Sequence, residues 1–203
     1  MSSARIDKVV VSGVFSLDGQ DFDVDNNVWL VGDDDEVLVI DAPHDAAPIV
    51  AAIGGRRVTA IVLTHGHNDH ITAAPALREA TGAQIWFNPA DRMLWDMTHA
   101  DAAPDHDLVA GMRFTVAGTT LTALHTPGHS PGSTCLHSAD LTTVFTGDTL
   151  FCGGPGATGR SFSDHPTILN SIRSELFSLH GDTVVKTGHG DDTTIAAELR
   201  TLS

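Results

Sequence analysis

Short apolar runs broken by Gly, Asp and Pro set the pattern of this chain. Val9–Leu17, Val28–Val31 and Val37–Ile40 read as strands, with the acidic turn Gly32–Glu36 joining the last two as a hairpin. Val58–Leu63 is continuous and rich in β-branched residues, the pattern of a strand buried on both faces. Ala46–Ile53 reads as a weak helix. Ile71–Ala80, rich in Ala, is a further helix, in which Pro75 is tolerable only near the first turn. Gln84–Phe87 is a short strand and Pro89–Met97 a helix that opens at a proline. The second half repeats the grammar, with strands at Phe114–Val116, Thr120–Leu124, Thr134–His137, Thr142–Thr146 and Val184–Lys186. The best helix is His165–Leu179, where Ile168, Ile172, Leu176 and Leu179 share a face and Asp164 caps the start. Thr193–Leu202 is a closing helix. Strands and helices in both halves imply an α/β protein of two sheets with helices packed outside them.

The 203 residues fit one domain with a substantial core, and 41 % hydrophobic content with near-zero mean hydropathy is ordinary for a globular protein. No apolar run approaches the ~20 residues of a membrane helix. The N-terminal Met1–Asp7 lacks a basic-then-apolar leader, so a cytoplasmic location and no membrane partner are expected. A formal charge of −15, with Arg56-Arg57 the densest basic spot, argues against a nucleic-acid partner. The acidic stretches Asp18–Asp25 and Asp33–Glu36 are expected as solvated turns. Two cysteines, Cys135 and Cys152, make no disulfide scaffold and are expected as packed thiols.

The chemistry concentrates at predicted strand ends. Thr64–His70 places His65, His67, Asp69 and His70 in the pattern H-x-H-x-D-H. Three further strands end in Gly-bearing loops that present His129, Asp148 and His189. In layered α/β proteins functional groups gather at such ends, where loops converge on one rim. Imidazoles and carboxylates in this number suit two metal ions. His65, His67 and His129 would hold one ion, Asp69, His70 and His189 the other, and Asp148 would bridge them. Asp41, at the end of the Val37–Ile40 strand, is expected to orient a ligand imidazole through that ring's second N–H. His125 reads as packing beside the loop. His44, His99, His106, His137, His165 and His180 read as surface or capping residues.

At these residues the chain resembles the metallo-β-lactamase-fold hydrolases, and among them the small glyoxalase II-like (hydroxyacylglutathione hydrolase-like) proteins. The resemblance rests on Ile40–Ala42, Thr64–His70, Thr126-Pro-Gly-His-Ser-Pro-Gly132, Gly147-Asp-Thr-Leu-Phe151, Gly159-Arg160 and Gly188-His-Gly190. It implies a four-layer αβ/βα sandwich, one domain over residues 1–203, with metals at one edge and the seven ligands in the positions assigned above. It also implies two divalent cations, zinc first, with iron or manganese able to replace it. Asp148 stands where true β-lactamases lack a bridging carboxylate. The absence of Tyr weakens a lactonase reading. The chain ends at Ser203, soon after His189, so the C-terminal helical domain that grips glutathione in full-length glyoxalase II is not expected.

The implied reaction is hydrolysis of a thioester, or another activated acyl compound, of a small molecule by hydroxide held between the ions. Asp69 would orient that hydroxide and take its proton, and Arg160 would meet a substrate carboxylate. Residues 88–113, with Trp95, Met97 and His99, are expected to cover the pocket, with Trp86 and Trp95 in core or lid packing. The rival class is a mononuclear-iron persulfide dioxygenase, for which the resemblance implies His65, His129 and Asp148 as ligands. The Thr187–Gly190 wording favours the hydrolases. A third possibility, a non-catalytic metal-binding module, fits an intact ligand set poorly.

Overall fold

Strands covered on both faces need no polar side, and the unbroken apolar runs of this chain are such strands. The computed structural model describes residues 4–202, so Met1–Ser3 of the N-terminal segment read above lie outside the described residues. One sheet comprises β1 (Arg5–Leu17), β2 (Gln20–Gly32), β3 (Glu36–Ile40), β4 (Arg57–Val62), β5 (Ile85–Phe87) and β6 (His106–Asp107), in that spatial order. The other comprises β7 (Arg113–Val116), β8 (Thr119–His125), β9 (Thr134–Ser138), β10 (Thr143–Gly147), β13 (Val184–Thr187) and β14 (Thr193–Thr194). Its order is β14-β13-β10-β9-β8-β7, and the small hairpin β11 (Leu150–Phe151) with β12 (Gly154–Pro155) stands beside it.

The period-2 alternation of strands divides each apolar run between two cores. Trp29, Val31, Leu38, Ile40 and Val62 face the second sheet, where Phe114, Leu121, Leu136 and Phe145 meet them. The intervening Val28, Leu30, Val37, Val39 and Ile61 face outward. They pack on Ile49 and Ile53 of α1 (Ala46–Ile53) and Leu77 of α3 (Ala74–Thr81). Beyond the second sheet, Cys135, Val144 and Val185 pack on Ile168 of α5 (His165–Ser171) and Ile195 of α6 (Ile195–Thr201). These are the four layers αβ/βα. No helix among the described residues is long and apolar enough to cross a membrane.

Several elements depart from the sequence reading for identifiable reasons. The turn between β1 and β2 is only Asp18-Gly19, both at positive φ, and Leu17 pairs with Gln20. Asp-Gly is a strong two-residue hairpin signal. The acidic stretch after it is therefore strand, with exposed Asp21, Asp23 and Asp25 alternating with Phe22, Val24 and Asn26. The helix expected at 71–80 is split into α2 (Asn68–Ile71) and α3. Pro75 has no N–H for the Ile71 carbonyl, which accepts instead from His99 Nε2 at 2.9 Å. The helix opening at Pro89 starts as a 3₁₀ turn, Pro89–Asp91, before α4 (Arg92–Thr98).

The helix expected to run to Leu179 gives way to a π-helical turn over Ile172–Leu176, where Phe177 N–H bonds the Ile172 carbonyl. An i, i+4 apolar row drifts about 40° per step around an α-helix. The wider turn winds part of that drift back and keeps Ile168, Ile172 and Leu176 buried together. Asp164 caps α5 as expected, its carboxylate accepting from Thr167 N–H at 2.9 Å. Thr193–Thr194 pairs with β13, and α6 starts only at Ile195, capped by Thr194. Cys135 is buried, and burial pushes its thiol up to about 11. Cys152 is exposed rather than packed.

Phe145 lies fully buried between the sheets, its ring 6.1 Å from that of Trp29. Phe145→Ala should lower the unfolding free energy by about 3–5 kcal/mol in urea titration. Val10→Ala, on the exposed face of β1, should change it by less than about 0.5 kcal/mol.

Candidate metal centre

Loops from both sheets meet at one edge of the sandwich. After β4 the chain passes through Thr64–His67, and α2 then begins with His67 as its capping residue. That handover puts His65 in the loop, His67 on extended backbone, and Asp69 and His70 on the first helical turn. His129 follows β8. Asp148 follows β10, and His189 follows β13. Glycine is required at two of these approaches. Gly128 sits at φ +134°, and a Cβ there would lie 2.2 Å from the Ile168 backbone nitrogen. A Cβ on Gly188 would lie 2.2 Å from Asp148 Oδ1.

The structure brings together all seven residues expected as ligands. On one side His67 Nδ1 lies 3.1 Å from His65 Nε2 and 2.9 Å from His129 Nε2. On the other, His189 Nε2 lies 3.2 Å from His70 Nε2 and 3.3 Å from Asp69 Oδ2. Asp148 stands between, with Oδ1 3.3 Å from His70 Nε2 and Oδ2 3.6 Å from His129 Nε2 and 3.4 Å from His189 Nε2.

The outer ring nitrogens decide what the inner ones can do. His129 Nδ1 bonds the Ala157 carbonyl and His189 Nδ1 the Asp25 carbonyl, each at 2.8 Å. His70 Nδ1 bonds Asp41 Oδ2 at 2.8 Å, and His65 Nδ1 bonds Thr64 Oγ1 at 3.1 Å. That hydroxyl donates onward to Asp41 Oδ2 at 2.8 Å. Nitrogens that donate outward carry their lone pairs inward. Buried acceptors then face one another at hydrogen-bond distance, and Asp148 Oδ1 is buried with no hydrogen bond. Such a set is unfavourable alone and complementary to cations. The donor types suit zinc, iron or manganese.

The electrostatics separate the two sides. Burial, then the neighbouring His129, pushes the His67 imidazole down to about 3. Burial, then His70, holds His65 well below its ordinary value. Burial also opposes charge on His70 and His189, but carboxylates outweigh it. Asp148, Asp69 and Asp41 hold His70 well above its ordinary value, and Asp148 with Asp69 raises His189 to about 10. Asp148 responds in kind: burial raises its carboxyl, but His70 and His189 hold it well below the usual range.

A cavity of about 220 Å³ opens onto Asp69, Asp148 and His189, and Phe15, Val24, Phe151 and Ala157 supply its apolar wall. A smaller recess beyond it, lined by His67 and His129, contains Arg160. Arg160 Nη1 donates to Gln20 Oε1 at 2.9 Å, and its guanidinium lies 4.6 Å from the Phe22 ring centroid. It forms no ion pair among the described residues. The cover is therefore the β1–β2 hairpin, not residues 88–113. Asp18 accepts from Ser161 N–H at 3.0 Å, and Asn68 bonds the β1 backbone at Ser16 and Val14. Trp95 is buried in the core under α1 and α3, and His99 is tied to Ile71. From the 88–113 segment, Leu94 and Met97 reach a groove behind His67.

Sequence reasoning missed Asn26, His44 and Asp91. The Asn26 amide is fully buried, its Nδ2 3.1 Å from Asp69 Oδ2, 3.2 Å from His70 Nε2 and 3.3 Å from His189 Nε2. His44, read as a surface or capping residue, bonds Asn26 Oδ1 at 2.7 Å and packs against Gly13. An Asn at the end of an acidic stretch, followed by a second Asn, carries no signal of this role. The close pairing of Gly13 with a His side chain is likewise visible only in three dimensions.

The family model of the metallo-beta-lactamase superfamily matches residues 22–189. A hydroxyacylglutathione hydrolase of Cereibacter sphaeroides is 37 % identical over 169 residues, covering 81 % of this chain and 62 % of the relative. The chain thus spans less than two thirds of that protein. Hydroxyacylglutathione hydrolase GloC of Haemophilus influenzae is 33 % identical over 190 residues, 86 % of this chain and 90 % of its own. Among solved structures, TTHA1623 in a di-iron-bound form superposes with TM-score 0.78 at 31 % identity, covering 88 % of this chain and 94 % of that one. ETHE1 from Myxococcus xanthus superposes with TM-score 0.73 at 26 % identity, covering 96 % and 83 %. Matched along most of its length by the family model and by relatives that share its fold, this chain belongs to the metallo-beta-lactamase superfamily.

Proposed function

We propose that this protein is a metal-dependent hydrolase that cleaves a thioester, or a related activated acyl compound, of a small thiol. The observation that carries the reading is the pair of facing donor triplets, His65–His67–His129 and Asp69–His70–His189, with Asp148 between them beneath an apolar-walled pocket. The names of the two relatives support the acyl-thiol class, and the di-iron form of the structural neighbour supports two ions with iron as an alternative to zinc.

Two ions held there would supply an activated water and polarise the acyl carbonyl. The chain's own residues do the rest. Asp69 faces the pocket, with Oδ2 steadied by Asn26, and takes the proton that the attacking water gives up. Phe15, Val24, Phe151 and Ala157 exclude bulk water and receive the acyl or thiol chain. A thiolate leaves without a strong proton donor, and Arg160 lies in the adjoining recess, which shares Phe15, His67, His129 and Ala157 with the pocket. Arg160, bonded to Gln20 and set over the Phe22 ring with Asp18 as the nearby carboxylate, is placed to meet a substrate carboxylate. Asp41 orients His70 directly and His65 through Thr64, so one carboxylate steadies a ring in each half.

Likeness to ETHE1 favours a second reading, one iron at His65, His129 and Asp148 acting on a persulfide. Elemental analysis of freshly purified protein, with S-lactoylglutathione turnover on the same sample, separates the two. About two ions per chain with thioester cleavage, both lost on chelation, are expected. One iron, no hydrolysis and oxygen uptake on a persulfide would overturn the proposal. Replacing Arg160 by Met should raise KM about tenfold for S-lactoylglutathione, the order expected for losing one charged hydrogen bond. It should leave a carboxylate-free thioester of N-acetylcysteamine unaffected. Equal changes for both substrates would show that Arg160 does not read the carboxylate.

A further inference from the structure

We propose that Asp91 is the positioning residue for the three-histidine half of the centre, tying the loop that carries His65 and His67 to the loop that carries His129. Asp91 is fully buried at the end of the 3₁₀ turn before α4. Its Oδ2 accepts the Gly66 N–H at 2.8 Å and the Ser130 hydroxyl at 2.6 Å, and its Oδ1 accepts the Gly132 N–H at 2.5 Å. Gly66 is the residue between His65 and His67, and Ser130 follows His129. One carboxylate thus grips both loops, between His65 and His67 on one and just after His129 on the other.

Two features mark this grip as more than packing. Asp91 is paired with no Lys or Arg among the described residues, so a buried anion rests on three neutral donors. Keeping such a charge is expensive, and an apolar residue would fill the space at less cost. Both loops also come as near as backbone allows: a Cβ on Gly66 would lie 3.0 Å from Asp91 Cβ, and one on Gly132 would lie 2.7 Å from Asp91 Cγ.

The need for a backbone anchor follows from the rings themselves. In the other half, Asp41 holds His70 and the Asp25 carbonyl holds His189. His67 has no such partner. Its Nδ1 faces the donors, and its buried Nε2 makes no hydrogen bond. Beyond the two facing imidazoles, the Phe15 ring, 5.2 Å from its centroid, and the path of its own loop aim it. Asp91 fixes that path at the adjacent Gly66 N–H. Its negative charge, one loop behind the three imidazoles, also favours a cation among them.

The role rests on the metal-binding reading proposed above, and ion content tests it without reference to turnover. Asp91→Asn keeps the shape but sets an amide N–H₂ against one of the three donors. Wild-type protein should retain two ions through dialysis against a chelator. Asp91→Asn should retain one, with affinity for the weaker ion reduced about tenfold or more. In cobalt-substituted protein the visible absorption of the three-histidine position should shift or vanish, while that of the other position persists. Asp105→Asn, which loses a carboxylate bonded to Ile85 N–H and Arg78 away from the centre, should behave as wild type in both assays.

If Asp91→Asn does not fold, Ser130→Ala decides. It removes one donor of three and should weaken the same position by a smaller factor. A folded variant with wild-type ion content, affinity and cobalt spectrum, and only a lower melting temperature, would overturn the role. Fewer than two ions in the wild type would instead refute the two-metal reading. The comparison of variant with wild type would then be made on the ion that remains.

Discussion

Imidazole nitrogens converge at 2.9–3.2 Å beside the buried carboxylate of Asp69 and the largely enclosed one of Asp148, and their lone pairs repel one another wherever no proton or cation lies between them. Outward hydrogen bonds from His65, His70, His129 and His189 keep the lone pairs pointing inward. The backbone comes close enough in this convergence to need glycines that admit no Cβ at positions 128 and 188. A donor set so arranged is selected for cations, and most of the local architecture serves to hold it.

The sandwich supplies the rigidity. Because each apolar run is shared between two cores, the strands cannot slide by one residue without exposing one face and crowding the other. Strand ends of both sheets are thereby fixed relative to one another, and so are the loops that leave them. The β1–β2 hairpin completes the site differently. It projects beyond its sheet, is pinned at its tip to Ser161 and Arg160, and lays Phe15 and Val24 over the metal pocket. The enclosing wall is therefore a strand pair joined by a two-residue turn.

The two halves of the centre are built unlike each other. Around Asp69, His70 and His189 the supporting groups are side chains, namely Asp41 and Asn26, together with the Asp25 carbonyl. Around His65, His67 and His129 support comes from the Thr64 hydroxyl, the Ala157 carbonyl and the loop backbone that Asp91 holds. Asp41 reaches both halves, since Thr64 relays its charge to His65. Charge is distributed accordingly. The carboxylates crowd His70 and His189, while burial keeps His65 and His67 neutral.

Local sequence was enough to determine the layered architecture, because period-2 and helical patterns are properties of neighbouring residues. It also singled out the donors, because His-x-His-x-Asp-His and three Gly-bearing strand ends concentrate metal-binding side chains beyond what turns or caps need. Asp41 was legible for the same reason, as a carboxylate at a strand end. Tertiary structure alone decided what depends on distant partners. Asn26 and His44 became part of the centre because β2 and the loop after β3 run beside α2. Asp91 gained its role because a turn near position 90 packs between two loops separated from it by tens of residues. The cover passed from residues 88–113 to the hairpin because Trp95 found its partners in the helix-side core, leaving Phe15 and Val24 to close the pocket. In each case the deciding contact joins residues far apart in the chain, where no periodicity or spacing can register it.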